Sequence, residues 1–173
     1  MTIIYKPVDI NNGEQFKEIK RLIDLDLSEP YSIWVYNYFL TNWSEISFVA
    51  IDSDNLNDDK PIGCIICKSD MHRSARMRGY IGMLAVDRKY RKKGIAKLLV
   101  NKSIEKMKEI GCDEITLETE VENKIALSLY EKIGFIKMKR MFRYYLNEGD
   151  AFKLILPLTE KSSVRSTFLQ APQ

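Results

Sequence analysis

The sequence predicts an α/β (α+β) protein in a single domain, with a mixed central sheet flanked by helices. Three observations predict this class. Strand-like and helical segments alternate along the chain. The length of 173 residues suits one domain with a full hydrophobic core. A strand, a basic loop and a helix follow one another directly over residues 79–107.

The first third of the chain combines short strands with two helices. Asn12 is predicted to cap the first helix, with Gln15 at the capping-box position, and apolar residues then recur at helical spacing. Pro30 ends this pattern because proline disfavours a helical residue before it. A second helix is predicted over residues 32–41. Strands are predicted over residues 3–5, 46–51 and 62–68, with a polar turn at 52–60.

The rest of the chain predicts further strands and helices, then a hairpin. Leu98, Leu99, Ile104 and Met107 are expected to face inward from a helix that Gly111 ends. We expect residues 1–158 to form the domain and residues 159–173 a polar, mobile tail. The predicted segments are a strand at 79–86, a helix at 94–110, a strand at 114–121, a helix at 123–133, and a hairpin of 135–146 with 151–158.

Composition excludes several classes of protein. No apolar run approaches the roughly 18 residues of a membrane span, and we expect neither a secretory signal nor a lipid anchor. The odd number of cysteines argues against a disulfide framework and favours a reducing compartment, most simply the cytoplasm. Cys64 and Cys67 form a C-x-x-C pattern, but on a strand they face opposite sides, so we expect no metal site.

Positive charge is concentrated in the middle of the chain. Residues 68–108 hold thirteen Lys and Arg against three Asp and Glu, although the formal net charge of the whole chain is only +3. This concentration favours one surface that binds an anionic ligand. A solvated face of basic residues is the alternative explanation.

The basic loop before the helix at residue 94 has the properties of a pyrophosphate site. Helix N-termini present unpaired N–H groups and the positive end of the helix dipole. Gly94 allows close approach of a phosphate to the backbone, and the neighbouring lysines and arginines add charge. The G-x-x-x-x-G-K-[ST] and G-x-G-x-x-G patterns are both absent. A basic surface turn is the alternative.

Two blocks of sequence resemble the GNAT acetyltransferases. The run RKKGIA at residues 91–96 matches their R/Q-x-x-G-x-G/A motif, and N-x-x-A-x-x-L-Y-x-x-x-G-F at 123–135 resembles their second cofactor segment. The resemblance covers roughly residues 1–168 and implies a GNAT acyltransferase fold. Further runs resemble the catalytic subunits of NatC-type protein N-terminal acetyltransferases, fungal members in particular: DLSEPY at 26–31, RGYIGMLAV at 78–86, CDE at 112–114 and RYYLN at 143–147.

The resemblance implies acetyl-CoA as acetyl donor and no metal. Leu84 and Val86 would pair through their main chain with the pantetheine arm, and Asn123 and Tyr130 would contact the cofactor. The pyrophosphate would be held by Arg91, Lys92, Lys93, Gly94, Ile95, Ala96 and Lys97.

The resemblance also implies a general base and a general acid. Glu118 lies on a predicted strand, where it shares a face with Thr116 and Glu120. It would accept the proton of the amine, directly or through a water. Tyr130 would protonate the leaving thiolate, and a backbone N–H near Met83 and Leu84 would hold the oxyanion. A solvated glutamate and a core aromatic residue are the alternatives.

A set of apolar, tyrosyl and acidic residues is implied to bind the peptide. NatC-type enzymes act on an N-terminal methionine followed by a bulky apolar residue, and tyrosine suits a pocket that contacts both apolar side chains and backbone. Ordinary aromatic core is the alternative for some of these residues. The implied substrate residues are Leu27, Glu29, Pro30, Tyr31, Tyr80, Met83, Tyr144 and Tyr145.

Two rival functions remain open on sequence alone. The same fold could acetylate lysine or small amines, although a lysine pKa of about 10.4 demands a stronger base. The basic segment could instead bind RNA, although aromatic stacking residues are not interleaved with its basic residues. The resemblance implies nascent protein N-termini as substrates, a large helical scaffold subunit and a small Sm-like subunit as partners, and ribosome association through that complex.

Overall fold

The computed structural model describes residues 1–27, 29–55 and 59–164. Predictions that fall on residues 28, 56–58 and 165–173, including most of the tail, lie outside this part. The described part contains seven strands and four helices of ten or more residues. In chain order they are β1 Ile3–Pro7, α1 Gly13–Asp26, α2 Ile33–Trp43, β2 Phe48–Asp52, β3 Pro61–His72, β4 Arg76–Val86, α3 Ile95–Glu109, β5 Glu114–Glu120, α4 Lys124–Ile133, β6 Ile136–Met141 and β7 Ala151–Pro157.

The seven strands are hydrogen-bonded in the order β1-β2-β3-β4-β5-β7-β6. β4 and β5 are parallel, whereas β1–β2, β2–β3, β5–β7 and β6–β7 are antiparallel. The predicted α/β class with a mixed sheet is therefore confirmed. The β4–β5 register pairs three residues of each strand, from Arg78 with Glu114 to Tyr80 with Thr116. β4 itself continues to Val86.

The first helix begins at its predicted cap. The Asn12 side chain accepts a hydrogen bond from the N–H of Gln15 at 3.0 Å. The reciprocal bond of a capping box is absent, because the Gln15 carboxamide accepts from the N–H of Asp9 at 2.8 Å instead. The Asn12 N–H bonds the Asp9 carbonyl. Gln15 thus ties the helix to the segment before it.

The first compact unit comprises Met1–Lys68 and Ile81–Lys106. Its core contains buried side chains of α1, α2, α3 and the strands, with Tyr36 and Leu99 fully buried. The prediction that Leu98 faces inward is wrong, since it is 46% exposed. Leu98 points about 100° away from Leu99 and about 200° away from Val100, which are both fully buried, so it lies on the opposite side of the helix from the core. Gly82 is required because a Cβ there would lie 2.8 Å from the Phe39 ring.

The second compact unit comprises Ser69–Tyr80 and the described part of Met107–Gln173. Its core contains Leu117, Tyr130 and Leu154, among others. The start of the predicted tail is ordered: residues 160–164 are helical, and Ser162 is fully buried. The Ser162 hydroxyl donates to Glu114 Oε2 at 2.7 Å. The expectation of a mobile segment is therefore wrong for these residues.

Candidate active site

The predicted base is joined to a tyrosine by a short hydrogen bond. The hydroxyl of Tyr80, on β4, donates to Glu118 Oε2, on β5, at 2.6 Å. The register explains this contact: Tyr80 pairs with Thr116, and Glu118 is the next residue on the same face of β5. A hydrogen bond from a hydroxyl to a carboxylate is stronger than a neutral one, and this one fixes the orientation of the carboxylate.

This contact was missed from the sequence, which assigned Tyr80 to peptide binding alone. The two residues are 38 positions apart, and only the parallel pairing of β4 with β5 brings them together. Local patterns carry no signal for such a pairing.

The predicted acid is buried in helix α4. Tyr130 is 5% exposed, and its ring packs edge-to-face on Phe135 with centroids 5.4 Å apart. Asn123, predicted to contact the cofactor, is the N-cap of this helix, because its Oδ1 accepts from the N–H of Ala126 at 3.1 Å. Gly134 ends the helix with φ +122°. Asn123 and Gly134 thus define the two ends of the helix that contains Tyr130.

The tyrosine pair predicted to bind peptide lies on the connection between β6 and β7. The rings of Tyr144 and Tyr145 pack edge-to-face with centroids 5.0 Å apart. Asp150 holds this connection: it accepts from the Arg140 side chain at 2.7 and 2.9 Å and from the Arg143 N–H at 2.9 Å. The Arg143 N–H, followed by the Arg140 side chain, lowers the pKa of Asp150. These hydrogen bonds therefore hold the connection between β6 and β7 in one conformation.

The basic loop of the first unit presents backbone suited to an anion. A 3₁₀ turn, Arg88–Tyr90, leads into it, and α3 begins directly after Gly94. Lys92 and Gly94 have φ of 61° and 78°. A Cβ at Gly94 would meet nothing within 4 Å, so open space lies beside the first amides of α3. This fits the pyrophosphate of acetyl-CoA, which needs close approach to unpaired N–H groups and a helix N-terminus.

The side chains of this loop differ in their surroundings. Arg91 forms an ion pair with Asp26, and its Nε donates to the Val86 carbonyl at 3.4 Å. The Lys93 ammonium lies 5.6 Å from the centre of the Tyr90 ring. Ile95 is buried, whereas Lys92 and Lys97 are exposed. The predicted pyrophosphate site is therefore defined by its backbone N–H groups more than by its charged side chains.

The remaining predicted residues lie on β4 and after α1. Met83 is buried, whereas Leu84 and Val86 are half-buried on the same face of β4 as Tyr80. After α1, Leu27 and Glu29 are half-buried and Pro30 is exposed. The Tyr31 ring packs edge-to-face on Tyr36 with centroids 6.3 Å apart.

Comparison with known proteins identifies the class. Residues 16–135 match the Acetyltransferase (GNAT) family, and the chain belongs to that family. It is 67% identical over 169 residues to N-alpha-acetyltransferase 30 of Saccharomyces cerevisiae, covering 98% of this chain and 96% of that protein. The human protein of the same name is 53% identical over 142 residues, covering 82% of this chain and 38% of that protein.

Solved structures agree with these relatives. The chain matches a chain of the NatC complex bound to Gag peptide and CoA with a TM-score of 0.90 and 66% identity, over 92% of this chain and all of that one. Arabidopsis thaliana Naa50 bound to a bisubstrate analogue matches at a TM-score of 0.77 and 23% identity, over 91% of this chain and all of that one, and so supports the fold alone.

These comparisons decide several predictions. The GNAT fold, the likeness to NatC-type catalytic subunits, the enzyme class of N-alpha-acetyltransferase and acetyl-CoA as acetyl donor are confirmed. Within the described ranges, no set of three or more His, Cys, Asp and Glu could hold a metal, and no helix could span a membrane. The roles of the individual site residues stay predictions.

Proposed function

We propose that this chain transfers the acetyl group of acetyl-CoA to the α-amino group of an N-terminal methionine that precedes a bulky hydrophobic residue. The observation that carries the chemistry is the hydrogen bond between Tyr80 and Glu118, since it holds a carboxylate in a fixed orientation. The support for the substrate class is 67% identity to an N-alpha-acetyltransferase 30 and likeness to a NatC chain solved with a peptide.

Glu118 is the proposed general base. An α-amino group has a pKa of about 7.7–8.0, so a carboxylate needs to give only modest help near neutral pH. The Tyr80 hydroxyl donates a hydrogen bond to Oε2 of Glu118, and this bond fixes the orientation in which the carboxylate can accept a proton. The proton reaches Glu118 directly or through one water.

Acetyl-CoA supplies the activated acetyl thioester. The backbone N–H groups of residues 91–97 bind its pyrophosphate, and the open space beside Gly94 supports this assignment. The main chain of Leu84 and Val86 pairs with the pantetheine arm, and a backbone N–H near Met83 faces the acetyl oxygen. The Tyr130 hydroxyl donates a proton to the departing sulfur.

Peptide selection is proposed for two clusters of apolar and tyrosyl residues. In the first unit Leu27, Pro30 and Tyr31 follow one another after α1, and Glu29 beside them can accept the α-ammonium or peptide N–H groups. In the second unit the packed pair Tyr144–Tyr145 offers two amphipathic rings. Both clusters favour an apolar second side chain, and Tyr80 adds a further ring.

The proposed setting is a cytoplasmic complex. We infer a large helical scaffold subunit, a small Sm-like subunit and nascent chains on the ribosome as partners, supported by the likeness to a chain of the NatC complex. Residues 1–158 are proposed as the catalytic domain and residues 159–173 as its C-terminal segment, of which residues 160–164 are helical and contact Glu114 through Ser162.

The test is acetyl-CoA turnover on peptides, with the chain alone and with its auxiliary subunits. Burying a leucine side chain contributes about 1.5–3 kcal/mol, so Met-Leu should exceed Met-Ala by roughly 10–150-fold in kcat/KM. Met-Lys and Ser-Glu should be poorer still, because a charged group would lose its water without compensation. Preference for Ser-Glu or an internal lysine would overturn the substrate proposal and leave the acetyltransferase fold intact.

A further inference from the structure

Two ion pairs join helix α1 to the loop that precedes α3. The Asp26 carboxylate pairs with the Arg91 guanidinium, and Arg21 Nη2 lies 3.5 Å from Asp87 Oδ2. Asp87 caps the 3₁₀ turn Arg88–Tyr90, and Arg91 is the first residue after that turn. The two pairs have opposite polarity along the helix, and together they connect two positions of α1 with the loop.

Asp26 occupies a particular place in the chain. It is the last residue of α1, and the next residue, Leu27, caps the helix by donating its N–H to the Ile23 carbonyl at 2.9 Å. Leu27, the first of the residues proposed to bind peptide, therefore directly follows the carboxylate that pairs with Arg91. Arg91 in turn opens the segment proposed to bind pyrophosphate, 91–97.

We propose that Asp26 is a positioning residue, which through Arg91 couples the cofactor loop to the peptide-binding residues Leu27, Glu29, Pro30 and Tyr31. This inference rests on the proposed function of these two sets of residues. A guanidinium has five N–H donors, so Arg91 can keep its bond to Asp26 while other donors face an anion. Binding of CoA then restricts the motion of Arg91, and through Asp26 this restricts the motion of Leu27 at the end of α1.

The exposure of the pair sets the size of the effect. Arg91 and Asp26 are 44% and 31% exposed, and exposed pairs contribute little, so we expect a change of only about 3–5-fold. A loss of general stability would lower kcat and the melting temperature. Loss of positioning raises the KM of the peptide alone.

The kinetic test is a double-mutant cycle on a Met-Leu peptide at saturating acetyl-CoA. Asp26→Asn and Arg91→Gln should each raise the peptide KM about 3–5-fold, and the double variant should be no worse than either single one. Asp26→Asn should keep kcat and the melting temperature near wild type. The control is Asp24→Asn, on the same helix, whose partner Lys20 lies within α1. Unchanged KM in Asp26→Asn, or additive effects, would overturn the inference.

A second readout does not depend on the peptide assay. Hydrogen exchange of the amides of Leu27, Glu29 and Tyr31 is measured with and without CoA in wild type, Asp26→Asn and Asp24→Asn. CoA should slow this exchange in wild type and Asp24→Asn, and much less in Asp26→Asn. Equal slowing in all three would refute the coupling. Because this arm uses CoA alone, it decides the inference even if Met-Leu is rejected as substrate.

Discussion

Each compact unit buries a polar side chain, and these two side chains differ in their hydrogen bonding. In the second unit Glu114 is fully buried, and its carboxylate accepts hydrogen bonds from Ser162, Arg76 and Arg78 at 2.7–3.2 Å. In the first unit Tyr36 is equally buried, between the rings of Phe16 and Tyr31. Among the described residues its hydroxyl has no hydrogen-bond partner.

This difference reflects where the hydrogen bonds and ion pairs of each unit lie. In the second unit, β4 and β5 supply the two arginines and the carboxylate of the buried Glu114 network, and they also form the half-buried Tyr80–Glu118 hydrogen bond. The first unit has a core with an aromatic cluster, and its ion pairs, such as Asp26–Arg91, lie partly in solvent. We therefore expect removal of the buried Glu114 charge to lower stability, and removal of the partly exposed Asp26 charge to weaken ligand binding with little effect on stability.

The largest effect is expected at Glu114. Glu114→Gln should lower the free energy of unfolding by about 3–5 kcal/mol, because two arginines that are only 16% and 11% exposed would lose their counter-charge. Chemical denaturation measures this. Glu18→Gln, which removes a half-exposed ion pair on α1, is the control and should cost less than about 1 kcal/mol. Equal costs would remove the contrast between the units.

The same carboxylate predicts how stability depends on pH. Burial alone would raise the pKa of Glu114, but the hydrogen bonds from Ser162 and the arginines outweigh it, and the pKa is lowered from 4.5. A lowered folded-state pKa gives stability that is fully present above the unfolded value and lost as pH falls through the folded value. Unfolding measured from pH 6 to pH 3 should lose this contribution below about pH 4.5 in wild type. A curve for Glu114→Gln that falls as steeply as wild type would contradict the prediction.

Catalysis in the second unit comes next in size. Glu118→Gln and Tyr130→Phe should each lower kcat by on the order of 10²-fold, about 2.7 kcal/mol, with melting temperatures near wild type. Glu120→Gln, on the same face of β5, is the control and should keep kcat within about 2-fold. If Glu118→Gln stays near the wild-type rate from pH 6 to pH 9, Glu118 is not the base, and solvent deprotonates the amine.

The first unit is tested at Gly94. Gly94→Asp should raise the Kd for acetyl-CoA by about 10-fold or more, because a carboxylate would occupy the space beside the first amides of α3. Gly111→Asp is a matched control, since Gly111 has φ of +88°, similar open space, and lies beyond the other end of the same helix. If calorimetry finds the same Kd for acetyl-CoA in both variants, residues 91–97 are not the pyrophosphate site.

The features predicted correctly from the sequence are those that depend on residues close together in the chain. Periodicity predicted α3 to within one residue at each end, and the Asn12 cap was visible in the residue itself. The basic loop was recognisable because its glycine and its charges follow one another. Periodicity also placed Leu98 wrongly, because the apolar pattern alone did not decide which side of α3 faces the core.

The features that were missed depend on distant partners. Nothing near Ser162 indicates that it bonds Glu114, 48 residues away, and the polar end of the chain suggested mobility instead. The ion pair of Asp26 with Arg91 spans 65 positions. Such contacts are determined by strand order and helix packing, which one sequence does not specify.

The smallest effect is expected at the unpartnered hydroxyl of the first unit. Burial, with Asp24 adding to it, raises the pKa of Tyr36, so the phenol stays neutral and gains nothing from ionisation. Leaving a buried hydroxyl unpaired costs free energy, so Tyr36→Phe should raise the free energy of unfolding by about 1 kcal/mol, or roughly 2–4 °C in melting temperature. Tyr90→Phe is the control: its hydroxyl bonds Asp52 at 3.1 Å, so its removal should stabilise nothing. If Tyr36→Phe destabilised the protein as a lost hydrogen bond does, the hydroxyl would have a partner in solution, and the contrast with Glu114 would disappear.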